Sequence, residues 1–255
     1  MSEPKKQHSL IVGCVGVKGQ GKSHKLREMI PYAPRIVIVD TALEHSDHVP
    51  NQLSEPEQIF EFLEWSKQQK SFACSYCPED LTEDVAEIVP ALLDRKNMVV
   101  GIEEVPEVCD GGKVPKRLRY LIRVGRHYGI DIAYTGQRFS EIARTITSQT
   151  DIFILFRQSE PLDVDGVAKR TSRDIAERVK ALDPGEFIVY DVRQQKEVPF
   201  LVSMFSPESS VRAIAHIDRK DEEESREIDD GEAEEDDTKN GSEEVLAERA
   251  KGMSD

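Results

Sequence analysis

Between residues 10 and 205, short runs rich in valine and isoleucine alternate with longer stretches whose apolar residues recur at helical spacing. Leu10 to Val15 reads as a first strand and Lys22 to Ile30 as the helix after it. Arg35 to Asp40 is a second buried strand, and Pro56 to Gln69 carries a helical stripe through Ile59, Phe60, Phe62, Leu63 and Trp65. The pattern then predicts a strand over Ser71 to Tyr76, a helix over Leu81 to Asp94 and a strand over Met98 to Val105. The last of these is apolar enough to be covered on both faces. A basic helix over Lys116 to His127 precedes a strand over Ile130 to Thr135, and a helix is expected over Ser140 to Thr147. Asp151 to Phe156 is a further strand, with two short helices between Leu162 and Leu182. The strands Gly185 to Asp191 and Val198 to Phe205 follow, around a turn at Arg193 to Glu197. Strands alternating with helices predict an α/β fold, a mainly parallel sheet with helices on both faces.

Past Asp218 this pattern stops. Residues 218–255 hold 17 acidic and 6 basic side chains, a net charge of −11 of the chain's −15. The stretch has too few apolar residues to offset chain entropy and reads as a disordered acidic tail. The expected organisation is a flexible start over 1–8, one domain over 9–217 and the tail over 218–255. No apolar run reaches the length that spans a bilayer, so no stable membrane insertion is expected. The polar start has no apolar stretch of the secretory type, which gives a cytoplasmic expectation. Four scattered cysteines do not make a disulfide framework. Cys74 and Cys77 have metal-ligand spacing, but no second pair follows, and a buried strand is the better reading.

Chemistry enters at Gly16-Val17-Lys18-Gly19-Gln20-Gly21-Lys22-Ser23, a full Gly-x4-Gly-Lys-Ser loop with a strand before it and a helix after it. Glycines let successive N–H groups curl around phosphates, and the helix start adds partial positive charge. Lys22 would reach the β- and γ-phosphates of ATP, and the Ser23 hydroxyl would take a place on Mg2+. Lys18 is either a solvated loop residue or one near the phosphates.

The strand from Met98 ends in Glu103 and Glu104. Phosphoryl transfer to water needs one group for the metal and one for the nucleophile. Glu103 is the candidate for the metal and Glu104 for orienting the water. Gln137, at the tip of the strand from Ile130, would sit beside this pair. Lys113, Lys116, Arg117, Arg119, Arg123 and Arg126 form a basic run of a kind that contacts phosphate backbones, or else a solvated face. His45 and His48 lie in a polar loop with Asp47 and read as exposed.

In the phosphate loop, Val37 to Asp40, Glu103-Glu104, Arg126 to Gly129 and Gln137, the chain resembles the FtsK–HerA superfamily of P-loop ATPases. That superfamily includes viral genome-packaging ATPases and zonula-occludens-toxin-like phage proteins. The resemblance spans roughly residues 9 to 205 and implies a RecA-like sheet with antiparallel late edge strands. It also implies an Mg2+-dependent ATPase acting as a nucleic-acid translocase, most simply a packaging motor on double-stranded DNA. A homo-oligomeric ring, a hexamer, with a capsid or portal component as docking partner, belongs to the same expectation. An arginine from a neighbouring subunit would complete each site, with Arg126 the first candidate and Arg123, Arg138 and Arg144 behind it. In this setting Glu103 departs from the commoner aspartate by one methylene. A toxin-like morphogenesis ATPase and a small P-loop kinase are the alternatives. The former usually carries a membrane helix, and the latter rarely needs a water-activating glutamate.

Overall fold

The computed structural model describes residues 9–206 other than 42, 44 and 46; the expected flexible start and acidic tail lie outside the described residues. The chain runs β1 (Ile11–Val15), α1 (Lys22–Met29), β2 (Arg35–Val39), β3 (Gln52–Leu53), α2 (Pro56–Trp65), β4 (Phe72–Tyr76), α3 (Glu83–Arg95) and β5 (Met98–Ile102). It continues through α4 (Lys116–Val124), β6 (Ile130–Gly136), α5 (Arg144–Thr147), β7 (Ile152–Leu155), α6 (Pro161–Arg170), α7 (Arg173–Lys180), β8 (Ile188–Asp191) and β9 (Lys196–Glu197).

These strands form one sheet in the order β3-β4-β2-β5-β6-β1-β7-β8-β9. Pairing is parallel from β3 through β7, and β7-β8 and β8-β9 are antiparallel. The central strands are buried at every residue, as β-branched runs covered on both sides should be. Alternate side chains face opposite layers. Val37 and Val39 of β2 join Ile59 and Leu63 of α2 and Ile88 and Leu92 of α3 in the larger core. On the other face a Cβ at Gly101 would meet Ile38 and Ile30, the residue that ends α1.

The basic stretch splits. α4 stops at Val124 and a 3-10 turn over Gly125–Tyr128 completes it, closed by Gly129 at φ 69°. The helix expected over Ser140 to Thr147 is broken: a 3-10 turn over Phe139–Glu141 is followed by extended Ile142 and Ala143 before α5. The cause is tertiary. Ser140 donates from both its N–H (2.9 Å) and its hydroxyl (2.6 Å) to the buried Asp163 carboxylate, which fixes the turn. The strand expected over Val198 to Phe205 is absent, and pairing ends at Glu197 and one further bond from Val198 N–H to Val189 O. Pro199 has no N–H to extend that ladder.

Candidate functional site

Parallel strands leave their C-terminal ends on one side of the sheet, and the site is built there. β6 lies between β5 and β1, with Val15 opposite Gly136 and Ile102 opposite Tyr134. The phosphate loop, the acidic pair and Gln137 therefore emerge from three neighbouring strands.

The loop is tied down at its start. Gly16 N–H donates to Gly136 O (3.1 Å) and Val17 N–H to Arg157 O (3.0 Å). A Cβ on Gly16 would come within 2.4 Å of the Phe156 Cβ, so only glycine fits. Gly19 and Gly21 hold φ of 80° and 98°, and Gly21 caps α1. Lys22 is buried, with Nζ donating to Val17 O at 3.2 Å, which holds the ammonium over the loop. Gln20 is buried, Val17 and Ser23 are half-buried, and Lys18 points to solvent.

The strand expected to reach Val105 ends at Ile102, because the chain turns sharply at the acids. Glu103 is buried, its N–H donating to Val39 O at 2.9 Å. Its Oε2 accepts from Thr135 Oγ1 (2.6 Å) and from Ser23 Oγ (3.3 Å). Glu104 takes a left-handed backbone, φ 45°, and its N–H donates to the same Thr135 hydroxyl at 2.8 Å. Its carboxylate lies close enough to Gln137 to feel that residue's N–H groups. Burial raises the Glu104 pKa, opposed by the Lys22 charge and by Gln137. A carboxylate so placed can accept a proton from, or orient, a water beside the loop.

Ser23 and Glu103 meet as a hydroxyl and a carboxylate, an all-oxygen pair suited to a hard cation such as Mg2+ that takes its other ligands from phosphates and water. Among the described residues no cluster of three or more His, Cys, Asp and Glu side chains is placed to hold a metal by itself. Cys74 is buried within β4 and Cys77 follows that strand.

One reading is overturned. His48 is exposed, but His45 is 1% accessible, with Nε2 2.7 Å from Glu103 Oε1 and its backbone N–H donating to Asp40 Oδ2 at 2.9 Å. The polar loop folds inward because a buried carboxylate needs partners for both oxygens. Thr135 was also missed as a site residue, although it stands two residues before Gln137 at the same strand tip.

The arginines separate by position. Arg138 pairs with the buried Asp163 at 3.2 Å, so its charge is already satisfied within the chain. Arg123, Arg126 and Arg144 are exposed. Arg126 precedes β6 and Gln137 follows it, so the strand separates them by about 20 Å at its usual rise per residue. Lys113, Lys116, Arg117 and Arg123 are exposed around α4, whose Leu118, Leu121 and Ile122 face the core.

A glycine-rich phosphate loop between strand and helix, with carboxylates and an amide on neighbouring strand ends, defines a P-loop nucleoside triphosphatase fold. No protein-family model matches the chain. Over 134 residues it is 27% identical to the DNA double-strand break repair helicase HerA of Pyrococcus furiosus, a match covering 50% of this chain and 24% of that protein. The matched part is thus about a quarter of that relative's length. The genome packaging NTPase B204 of Sulfolobus turreted icosahedral virus 2, in complex with AMPPCP, aligns with a TM-score of 0.63 at 22% identity. That alignment covers 76% of this chain and 98% of B204. VirB4 of Thermoanaerobacter pseudethanolicus aligns at 0.54 and 11% identity, over 74% and 89% of the two chains. The sheet, its antiparallel edge and these likenesses give the chain the P-loop ATPase fold that B204 and VirB4 share.

Proposed function

We propose that the chain hydrolyses ATP to move along a nucleic acid, and that its work is the packaging of a double-stranded DNA genome. The convergence of the phosphate loop, Glu103, Glu104 and Gln137 at three adjacent strand ends carries the hydrolytic part. Backbone N–H groups of the loop bind the phosphates, and Lys22 offsets the charge growing on the leaving oxygens. Mg2+, when bound, neutralises β- and γ-phosphate charge; Ser23 and Glu103 would hold it, Glu103 directly or through water. Glu104 and Gln137 orient the attacking water, and Glu104 draws its proton. HerA is described as a helicase acting in DNA repair and B204 as a packaging NTPase, which supports the DNA-motor reading; the alignment along 98% of B204, against 24% of HerA, favours packaging. The exposed basic residues around α4 are the surface we assign to the nucleic-acid backbone.

The test is ATP turnover by the full chain, with and without double-stranded DNA. Lys22→Ala should abolish turnover and weaken nucleotide binding. Glu104→Gln should bind ATP and turn it over at least about a hundredfold more slowly, in line with a general base. DNA should raise wild-type turnover, and the gain should shrink with salt. Wild-type turnover by Lys22→Ala would sink the hydrolytic reading; turnover indifferent to DNA would sink the motor reading and leave the ATPase standing.

A further inference from the structure

His45 is a titratable side chain buried to 1% accessibility, and it comes from an otherwise polar loop. Its ring nitrogen meets Glu103 Oε1 at 2.7 Å, while Thr135 and Ser23 take Oε2. A carboxylate only accepts when ionised, so Nε2 carries the hydrogen. The loop is anchored on both sides of the site. His45 N–H donates to the fully buried Asp40, and His48 Nε2 lies 3.3 Å from Arg27 Nη1. Arg27 in turn donates from Nε to the Ser23 carbonyl at 3.2 Å. One loop therefore contacts the carboxylate directly and, through a single arginine, the backbone of the serine facing it.

We propose that His45 is a positioning residue, which locks the Glu103 carboxylate so that Oε2 stays turned toward Ser23; this rests on the Mg2+-dependent ATPase reading. The physical need follows from the length of the side chain. Glutamate has one more rotatable bond than aspartate, so a glutamate at this position loses more rotamer freedom when held in one orientation. Hydrogen bonds to both oxygens fix the head group, as outer partners fix the ligands of other metal sites. Thr135 alone binds one oxygen and leaves the carboxylate able to swing about that bond. His45 removes the swing.

The experiment measures the affinity of the ADP-bound protein for Mn2+ by electron paramagnetic resonance. A parallel titration of a fluorescent ADP analogue is run in EDTA. His45→Ala should bind nucleotide in EDTA like the wild type, yet need about 10- to 100-fold more Mn2+, the usual cost of losing an outer-shell partner. His45→Gln, whose amide N–H reaches about as far as Nε2, should recover most of the loss. Unchanged Mn2+ affinity in His45→Ala overturns the proposal, as does a glutamine variant no better than alanine. Loss of EDTA binding in both variants would make His45 a fold residue and overturn it too. An ADP-bound wild type that held Mn2+ no better than free ADP does would instead sink the parent reading, and this inference with it.

Discussion

Glu104 sits in a backbone conformation that a non-glycine residue adopts at a cost of about 1–2 kcal/mol. The cost is met where the geometry is used, since the turn leaves the carboxylate close to Gln137 and releases its N–H to Thr135. Asparagine tolerates the left-handed region better than glutamine. Glu104→Asn and Glu104→Gln are both neutral amides, so they share any electrostatic change. Both should lose hydrolysis, and Glu104→Asn should be the more stable by about 0.5–1 kcal/mol in urea unfolding. Equal stabilities would mean the turn is relaxed in solution. Glu103, Glu104 and Gln137 could be picked out in the sequence because each ends an apolar run, and a strand end is a place where side chains meet. His45 could not. Its loop has no periodicity, and its partner lies 58 positions away, just past the end of a strand two crossovers later.

Elements were legible in proportion to their length and to how local their causes are. The central strands and α1 to α4 are written in β-branched runs and helical stripes, and α2 announces its start through Glu55, Pro56 and Gln58, which form a capping box with proline in the first turn. Two-residue β3 and β9 carry no pattern, because pairing with β4 and β8 creates them. The break before α5 is set by Asp163, more than twenty positions on, which no window around Ser140 contains. The phosphate loop is an element of the same kind, shaped partly from outside. Phe156, following β7, packs against Gly16, and the next nearest atoms to a Cβ there are Phe156 backbone. Gly16→Ala should therefore displace the loop, costing about 1–3 kcal/mol in stability and most nucleotide affinity. Phe156→Ala should not rescue it, because the obstructing Cβ remains. Gly19→Ala meets nothing within 4 Å and should show only the backbone cost. Calorimetric melts and ADP titration of the three variants check the order.

At the scale of the molecule, one subunit cannot bring Arg126 to its own phosphates, because β6 stands between them. If Arg126 acts in hydrolysis, it acts on a neighbour. Arg126→Ala should then bind ATP and hydrolyse it poorly, and mixing it with Glu104→Gln should restore some turnover as interfaces pairing an intact arginine with an intact glutamate form. Turnover per subunit should also rise with protein concentration. No recovery in demonstrably mixed assemblies would pass the role to Arg123 or Arg144, since Arg138 is already held by Asp163. Both margins of the sheet also bear on assembly. Each closes in a strand of only two residues, β3 on one side and β9 on the other, with Pro199 just beyond β9. Short borders, one of them followed by a proline, offer few free backbone groups to an incoming chain. Within the described residues the sheet is thus poorly made to grow by strand addition, which favours contacts between copies through helices and loops. Such contacts can slide or rock without tearing a hydrogen-bonded ladder, a freedom that a machine cycling between nucleotide states would use at every turnover.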